Sequence, residues 1–160
     1  MAKKMNAGSS WSYEFPGEGG KRDQLEQAIL KECEIQQFPL KRAIQTIKSG
    51  GLFVSSKDQC IVIDGGKQFE LVISNISVGT MLYVSVYFCP KTGLGALLSA
   101  VKSAANVFEE NRQAAIQAAV DFIIETAFSK LGLKQVKSEY SQAKSRKQPE
   151  PAATGLFGGK

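Results

Sequence analysis

The chain has 160 residues, of which 43% are hydrophobic, and its formal net charge is +5 at pH 7. A chain of this length forms about one domain. Histidine is absent, which excludes a Ser-His or Cys-His catalytic pair built from this chain alone. No apolar run reaches the roughly 18 residues of a membrane-spanning helix. Composition therefore predicts a soluble domain and leaves its function open.

The first part of the chain predicts a strand followed by a helix. Residues 1–10 are small and polar, and we expect them to be disordered. The aromatic stretch 11–15 is typical of a strand, and it stops at Pro16-Gly17. Residues 21–34 have apolar side chains at helical spacing, which predicts the first helix.

A second, shorter helix is predicted between Pro39 and Gly50. Proline suits the first turn of a helix, and the Gly50-Gly51 pair suits its end. The apolar residues between them stand at i, i+3, i+4 and i+7, and they are Leu40, Ala43, Ile44 and Ile47.

The apolar period then changes to two, which predicts four strands. Their ranges are 52–56, 59–64, 68–74 and 81–89. Asp64-Gly65-Gly66 predicts a hairpin turn, because glycine tolerates positive φ. The last two strands should share one apolar face, formed by Phe69, Leu71, Ile73, Leu82, Val84, Val86 and Phe88.

The opposite face of these strands carries two tyrosines. Tyr83 and Tyr87 point away from the apolar face, and alternation assigns Val72 and Met81 to the same side as these tyrosines. Because tyrosine is favoured in interfaces, this face is a candidate partner-binding surface. The alternative is that the second short helix or Trp11 covers it.

Helical periodicity returns after Pro90 and persists to about Leu131. One apolar stripe consists of Leu94, Leu97, Leu98, Val101, Ala105 and Phe108, and another of Ile116, Val120, Ile123, Ala127 and Leu131. Bulky Phe122, Ile123, Ile124 and Phe128 are the best available cover for the sheet. Asn106 with Glu109 is an N-capping signal, so the segment 95–131 is either one helix kinked near Asn106 or two helices.

The element order β-α-α-β-β-β-β-α predicts an α+β fold. We expect an antiparallel sheet of four to five strands, covered on one face by the long C-terminal helix. A single α+β domain should span residues 11–133, after the disordered extension 1–10 and before a basic, flexible tail at 134–160.

Two features resemble catalytic or ligand sites only weakly. Asp121 and Glu125 stand at i, i+4, but a helical metal site needs further ligands on facing helices, so a solvated helix face is preferred. The glycine turn at 91–100 leads into a helix, where backbone amides can hold a phosphate. It lacks the third glycine of a dinucleotide fingerprint and is best explained as a connection.

The three cysteines, Cys33, Cys60 and Cys89, are widely spaced and match no metal pattern. Their odd number, without a secretory signal, predicts reduced thiols and a cytoplasmic location. Cys89 precedes Pro90-Lys91, where an ammonium would favour a reactive thiolate, but a buried structural residue is the preferred interpretation. No cofactor is predicted.

The whole excess charge lies at the C-terminal end, where residues 129–160 hold seven basic and two acidic residues. A spacer carrying Lys144, Arg146 and Lys147 leads to an apolar pair, Leu156-Phe157, that is flanked by glycines. Short apolar anchors on flexible tethers dock in grooves of partner proteins. The alternative is a frayed terminus without a role.

These features predict a non-enzymatic protein-interaction module with a C-terminal docking tail. The alternative is a carrier of a small apolar, lipid-like ligand held between the sheet and the long helix. A strand such as 11–15 or 52–56 at a sheet edge would also allow a homodimer. Contact of the tail with nucleic acid or an anionic membrane is a weaker interpretation, because only Tyr140 lies near for base stacking.

Overall fold

A computed structural model describes residues 3–4, 9–50, 55–91 and 104–135. Six strands and two α-helices lie in these ranges, with a 3-10 turn at Gly19–Lys21. The elements are β1 (Lys3–Lys4), β2 (Ser9–Phe15), α1 (Arg22–Ile35), β3 (Arg42–Gly50), β4 (Ser55–Asp64), β5 (Phe69–Val78), β6 (Met81–Pro90) and α2 (Ala104–Lys130).

The strands form one sheet in the order β1-β3-β4-β5-β6-β2. Five strands are antiparallel, and β1 adds two residues that pair in parallel with the edge of β3. β2 precedes the other long strands in the chain but pairs with β6 at the far edge. The predicted α+β class, with its antiparallel sheet and C-terminal helix, is confirmed.

The predicted second helix at 39–50 is wrong, since residues 42–50 form strand β3. Nine residue pairs join β3 to β4 in antiparallel register. A short apolar run fits both the helical period and the strand period, and pairing with a distant part of the chain decides which structure forms. Ile47 is buried at 4% exposure, whereas Ile44 remains 42% exposed. A helix would have grouped these two residues on one face.

The two strands predicted at 52–56 and 59–64 are a single strand over the described residues. β4 runs from Ser55 to Asp64 without interruption, and residues 52–54 lie outside the described ranges. Lys57 and Asp58 break the apolar alternation, but both pair with β3. β4 lies between β3 and β5, but Ser55 and Ser56 pair only with β3, since the register with β5 begins at Cys60. The other candidate for self-association, 11–15, belongs to edge strand β2. Homodimerisation through either strand stays a prediction.

Both helices pack on the same face of the sheet, which we call the helix-covered face. The predicted alternation of β5 and β6 is confirmed there, with Phe69, Leu71, Ile73, Leu82, Val84 and Val86 all buried. Phe128 of α2 meets Tyr13 and Phe15 edge-on, with ring centroids 5.0 and 4.6 Å apart. Aromatic pairs in this geometry add to the hydrophobic gain of burial.

Helix α2 is continuous from Ala104 to Lys130 and passes through the predicted break at Asn106. Residues 92–103, which include the start of the predicted long helix, lie outside the described ranges. Gly132 follows the helix with φ at 66°, and the amide of Leu133 donates to the carbonyl of Phe128 at 2.9 Å. This left-handed glycine ends the helix as predicted.

Part of the predicted N-terminal extension is in strands. Lys3–Lys4 form β1, and β2 begins at Ser9 rather than at Trp11. The other residues of 1–8 lie outside the described ranges, as do residues 136–160, which make up nearly all of the predicted tail.

Candidate interaction surface

Helix α2 exposes three large apolar side chains. Phe108 is 76% exposed, Val107 is 56% exposed and Phe122 is 61% exposed. Seven residues are close to two helical turns, so Phe108, Ala115 and Phe122 lie on nearly the same side of the helix. We call this side the outer face of α2, and its exposed members are Phe108, Asn111, Ala115, Ala118 and Phe122.

The opposite side of α2 holds the fold together. Val120, Ile123 and Ala127 are buried, as the stripe beginning at Ile116 predicts. No side chain between 107 and 119 is buried. The helix therefore carries apolar residues on two sides, and only one of them faces the sheet.

The position of Phe122 corrects the sequence interpretation, which assigned this residue to the cover of the sheet, and Phe108, the last residue of the predicted first stripe, is exposed as well. Ile123, Ile124 and Phe128 do cover the sheet, but Phe122 points away. The seven-residue repeat through Phe108 and Phe122 is out of phase with the buried stripe. That phase difference is the signal from which the outer face was recognisable.

Helix α2 is mostly negative between residues 104 and 126, with four acidic residues and a single basic residue, Arg112. Of the acidic groups, Glu110 and Glu125 are exposed. At 3.6 residues per turn, Arg112 and Glu125 are the exposed charged residues nearest to the outer face, one on each side, and Glu110 lies farther round the helix. The outer face is thus an apolar stripe with one charge of each sign beside it.

Asp121 is an acceptor that ties strand β2 to α2. The indole Nε1 of Trp11 donates to its Oδ1 at 2.9 Å, and the hydroxyl of Tyr13 donates to the same oxygen at 3.5 Å. Burial raises the pKa of Asp121, and nearby Glu125 raises it further. Burial, followed by the charge of Asp121, raises the pKa of Tyr13 to about 12.

Asp121 and Glu125, which were considered as a metal or acid–base site, therefore have different surroundings. Asp121 is half-buried and bonded to β2, whereas Glu125 is exposed. Among the described residues, no group of three or more Cys, Asp or Glu side chains could hold a metal ion.

An ion pair between a buried carboxylate and an exposed ammonium joins the two helices. Glu32 of α1 is 2% exposed and pairs with the ammonium of Lys130 at the end of α2. The amide Nε2 of Gln36 donates to the same carboxylate at 3.3 Å. The hydrogen bond from Lys130 is the main cause that lowers the pKa of Glu32.

The tyrosine face of the sheet is largely buried, in contrast to the predicted open surface. Tyr83 and Tyr87 are both half-buried. Neither predicted cover is present, because the second helix is a strand and Trp11 lies on the helix-covered face. Tyr87 packs on a second apolar cluster on β3, β4, β5 and β6, formed by Ile47, Cys60, Val62, Val72 and Cys89.

Cys33, Cys60 and Cys89 are all buried. Burial is the main cause that raises the pKa of Cys33 and of Cys60. The ammonium of Lys91, considered as an activator of Cys89, contacts carboxylates of Asp64 at 2.7 Å and Glu70 at 3.5 Å. The glycine turn that follows Lys91 lies outside the described residues.

The predicted tail anchor also lies outside the described residues. This applies to Leu156 and Phe157 and to the basic residues of the spacer, Lys144, Arg146 and Lys147. Their role in docking stays a prediction.

No protein-family model, curated protein or solved structure matches this chain. Across the described ranges, no helix combines the length and apolar character needed to cross a bilayer. The arguments for function therefore rest on the geometry of the chain itself.

Proposed function

We propose that this chain is a non-enzymatic protein-interaction module whose main docking surface is the outer face of α2. The observation that carries the proposal is the exposure of Phe108 and Phe122 on one side of a helix whose other side is buried from Val120 onward. Exposed apolar patches rimmed by polar residues mark interaction sites. Aromatic residues are enriched where partners dock.

The carrier alternative has less support. A lipid-like ligand would need room between the sheet and α2, where side chains pack against one another instead. Phe128 sits on Tyr13 and Phe15, and Phe69 stacks on Phe88 with ring centroids 5.1 Å apart. Close packing of this kind favours a structural core over a ligand cavity.

The C-terminal tail is proposed as a second docking element. Its apolar pair, Leu156-Phe157, would enter a groove on the partner, and Lys144, Arg146 and Lys147 would attract an acidic surface. We also propose a cytoplasmic location, since an odd number of cysteines, all of them buried, suits a reducing compartment. The half-buried pair Tyr83 and Tyr87 remains a further candidate contact.

Affinity capture from native lysate tests the proposal with four proteins. These are the wild type, the double variant Phe108→Ser/Phe122→Ser, a chain truncated after Gln148, and the control Val78→Ser. Val78 is 70% exposed on the β5–β6 hairpin, so the control removes a similarly exposed apolar side chain from another place. Circular dichroism establishes that all four are folded.

We expect one protein to be captured by the wild type and by Val78→Ser and to be lost with the double variant. Loss on truncation alone would assign docking to the tail rather than to α2. Equal capture by all four proteins would contradict both docking elements and leave Tyr83 and Tyr87 as the candidate contact.

A further inference from the structure

We propose that the outer face of α2 binds the same face of a second copy of this chain, with the two helices antiparallel. This inference rests on the proposed function and names its partner. A homodimer through a helix differs from pairing at a strand edge, because the sheet would take no part in it.

The pattern of side-chain sizes along the outer face fits a two-fold axis. Phe108 and Phe122 stand at its ends, with small Ala115 and Ala118 between them. A two-fold axis near Ala115 that relates two antiparallel helices brings the Phe108 end of one helix to the Phe122 end of the other. The alanines let the helix axes approach closely, and each phenylalanine then meets a short side chain or another ring.

Symmetry makes this surface self-complementary. Closed two-fold dimers use the same patch on both subunits, so every contact is made twice. The seven-residue repeat of Phe108, Ala115 and Phe122 is also the spacing by which paired helices keep one seam in contact. Asn111 lies within the seam, where a polar residue favours one register over others.

The area available is near what a specific interface needs. Phe108 and Phe122 are about 21 Å apart along the helix at a rise of about 1.5 Å per residue. A buried phenylalanine removes about 150–250 Å² from water, and the dimer would cover four that are now mostly exposed. With the flanking side chains, the total approaches the roughly 1,000 Å² expected of a biological interface.

The charges disfavour two other occupants of the face. Helices that lie on membranes have polar faces rich in lysine and arginine. Nucleic-acid surfaces likewise need basic residues. Here Arg112 is the only basic residue between 104 and 126, against four acidic ones. An apolar protein surface fits this helix better than either polyanion.

Sedimentation equilibrium of the purified full-length chain tests the second copy as partner. We expect the wild type and Val78→Ser to form a dimer that dissociates on dilution, and Phe108→Ser and Phe122→Ser to remain monomeric. A monomeric wild type at all concentrations would overturn the inference. So would flotation of the wild type, but not of the two variants, with vesicles containing anionic lipid.

Cysteine cross-linking tests the antiparallel arrangement. Ala115→Cys lies near the proposed axis, whereas Ser129→Cys continues the seven-residue series two heptads later. In the antiparallel dimer, the two Ser129 positions would be about 42 Å apart, far beyond the roughly 7 Å limit between Cα atoms of a disulfide. Cross-linking at position 115 alone is expected, and equal cross-linking at both positions would show parallel helices.

The two proposals fail in different ways. The wild type could stay monomeric while the Phe108→Ser/Phe122→Ser variant loses a lysate protein that the wild type captures. This result refutes only the second copy as the partner. If the wild type does not dimerise, and the Phe108→Ser/Phe122→Ser variant captures the same lysate proteins as the wild type, the outer face is refuted as a docking surface.

Discussion

Gly19 lies where the loop before α1 crosses the β5–β6 turn. Its amide donates to the carbonyl of Thr80 at 2.9 Å, and the hydroxyl of Ser77 donates to its carbonyl at 2.7 Å. A Cβ at this position would come within 2.5 Å of the carbonyl oxygen of Gly79. The neighbour is backbone, so it cannot swing away as a flexible side chain would.

Gly19→Ala should therefore destabilise the fold by about 1–3 kcal/mol, the usual range for overpacking. The matched control is Gly20→Ala, because a Cβ on Gly20 meets no atom within 4 Å. Urea unfolding of both variants measures the difference. Equal midpoints for the two variants would refute the close approach.

Asp121 should be tested with a pair of substitutions. Asp121→Ala removes the acceptor of the Trp11 indole and should cost about 1–3 kcal/mol, the penalty for leaving a buried polar group unpaired. Asp121→Asn keeps an oxygen acceptor and removes the partly buried charge, so its stability at pH 7 should equal or exceed that of the wild type. A large loss in Asp121→Asn would show that the charge itself is needed.

The same carboxyl group predicts a pH dependence. Its pKa in the fold is raised above the usual 3.8, so the folded state binds the proton more tightly than the unfolded state. The wild type should gain stability relative to Asp121→Asn as pH falls toward the raised pKa. The unfolding free energies of both proteins, measured between pH 7 and 4, test this prediction. A wild type that loses stability relative to Asp121→Asn as pH falls would be inconsistent with a raised pKa of Asp121.

At the scale of elements, the contact between α1 and α2 depends on the pair Glu32–Lys130. Lys130→Gln should lower the urea midpoint, because it leaves a buried carboxylate without its cation. Lys134→Gln, at an exposed position one turn later, is the control. Equal midpoints for these two variants would mean that the ion pair contributes nothing to the helix contact.

The effect of Lys130→Gln should depend on pH in the opposite sense to that of Asp121. The pKa of Glu32 is lowered in the fold, so the contribution of its ionised form is fully present above the usual value of 4.5. It is lost as pH falls through the lowered pKa. The difference between the wild type and Lys130→Gln should shrink over that interval, which acid titration of the unfolding midpoint measures.

Strands β5 and β6 were predictable because their apolar alternation is clean and local. Residues 42–50 were not, since their apolar spacing fits a helix and only pairing with β4 selects the strand. The Trp11–Asp121 bond joins residues 110 positions apart, and no local pattern indicates it. The exposure of Phe122 was recognisable from its phase relative to the stripe Val120, Ile123 and Ala127, but the bulk of its side chain made it resemble a cover for the sheet.

At the scale of the whole molecule, the two sides of α2 have different surroundings. Its inner side, with Val120, Ile123 and Ala127, closes the core over the sheet. Its outer face, with Phe108 and Phe122, remains exposed and is available to a partner. If this division is correct, substitutions on the two sides should affect different properties of the protein.

The most direct test compares the urea unfolding of Phe122→Ala and Ile123→Ala in dilute solution where no dimer forms. The two residues are adjacent in α2, but Phe122 is exposed and Ile123 is buried. Ile123→Ala should lose about 2–5 kcal/mol, the usual cost of truncating a buried aliphatic side chain. Phe122→Ala should stay within about 0.5 kcal/mol of the wild type, as an exposed substitution does. A comparable loss in both variants would show that Phe122 serves the fold, and would contradict an outer face reserved for a partner.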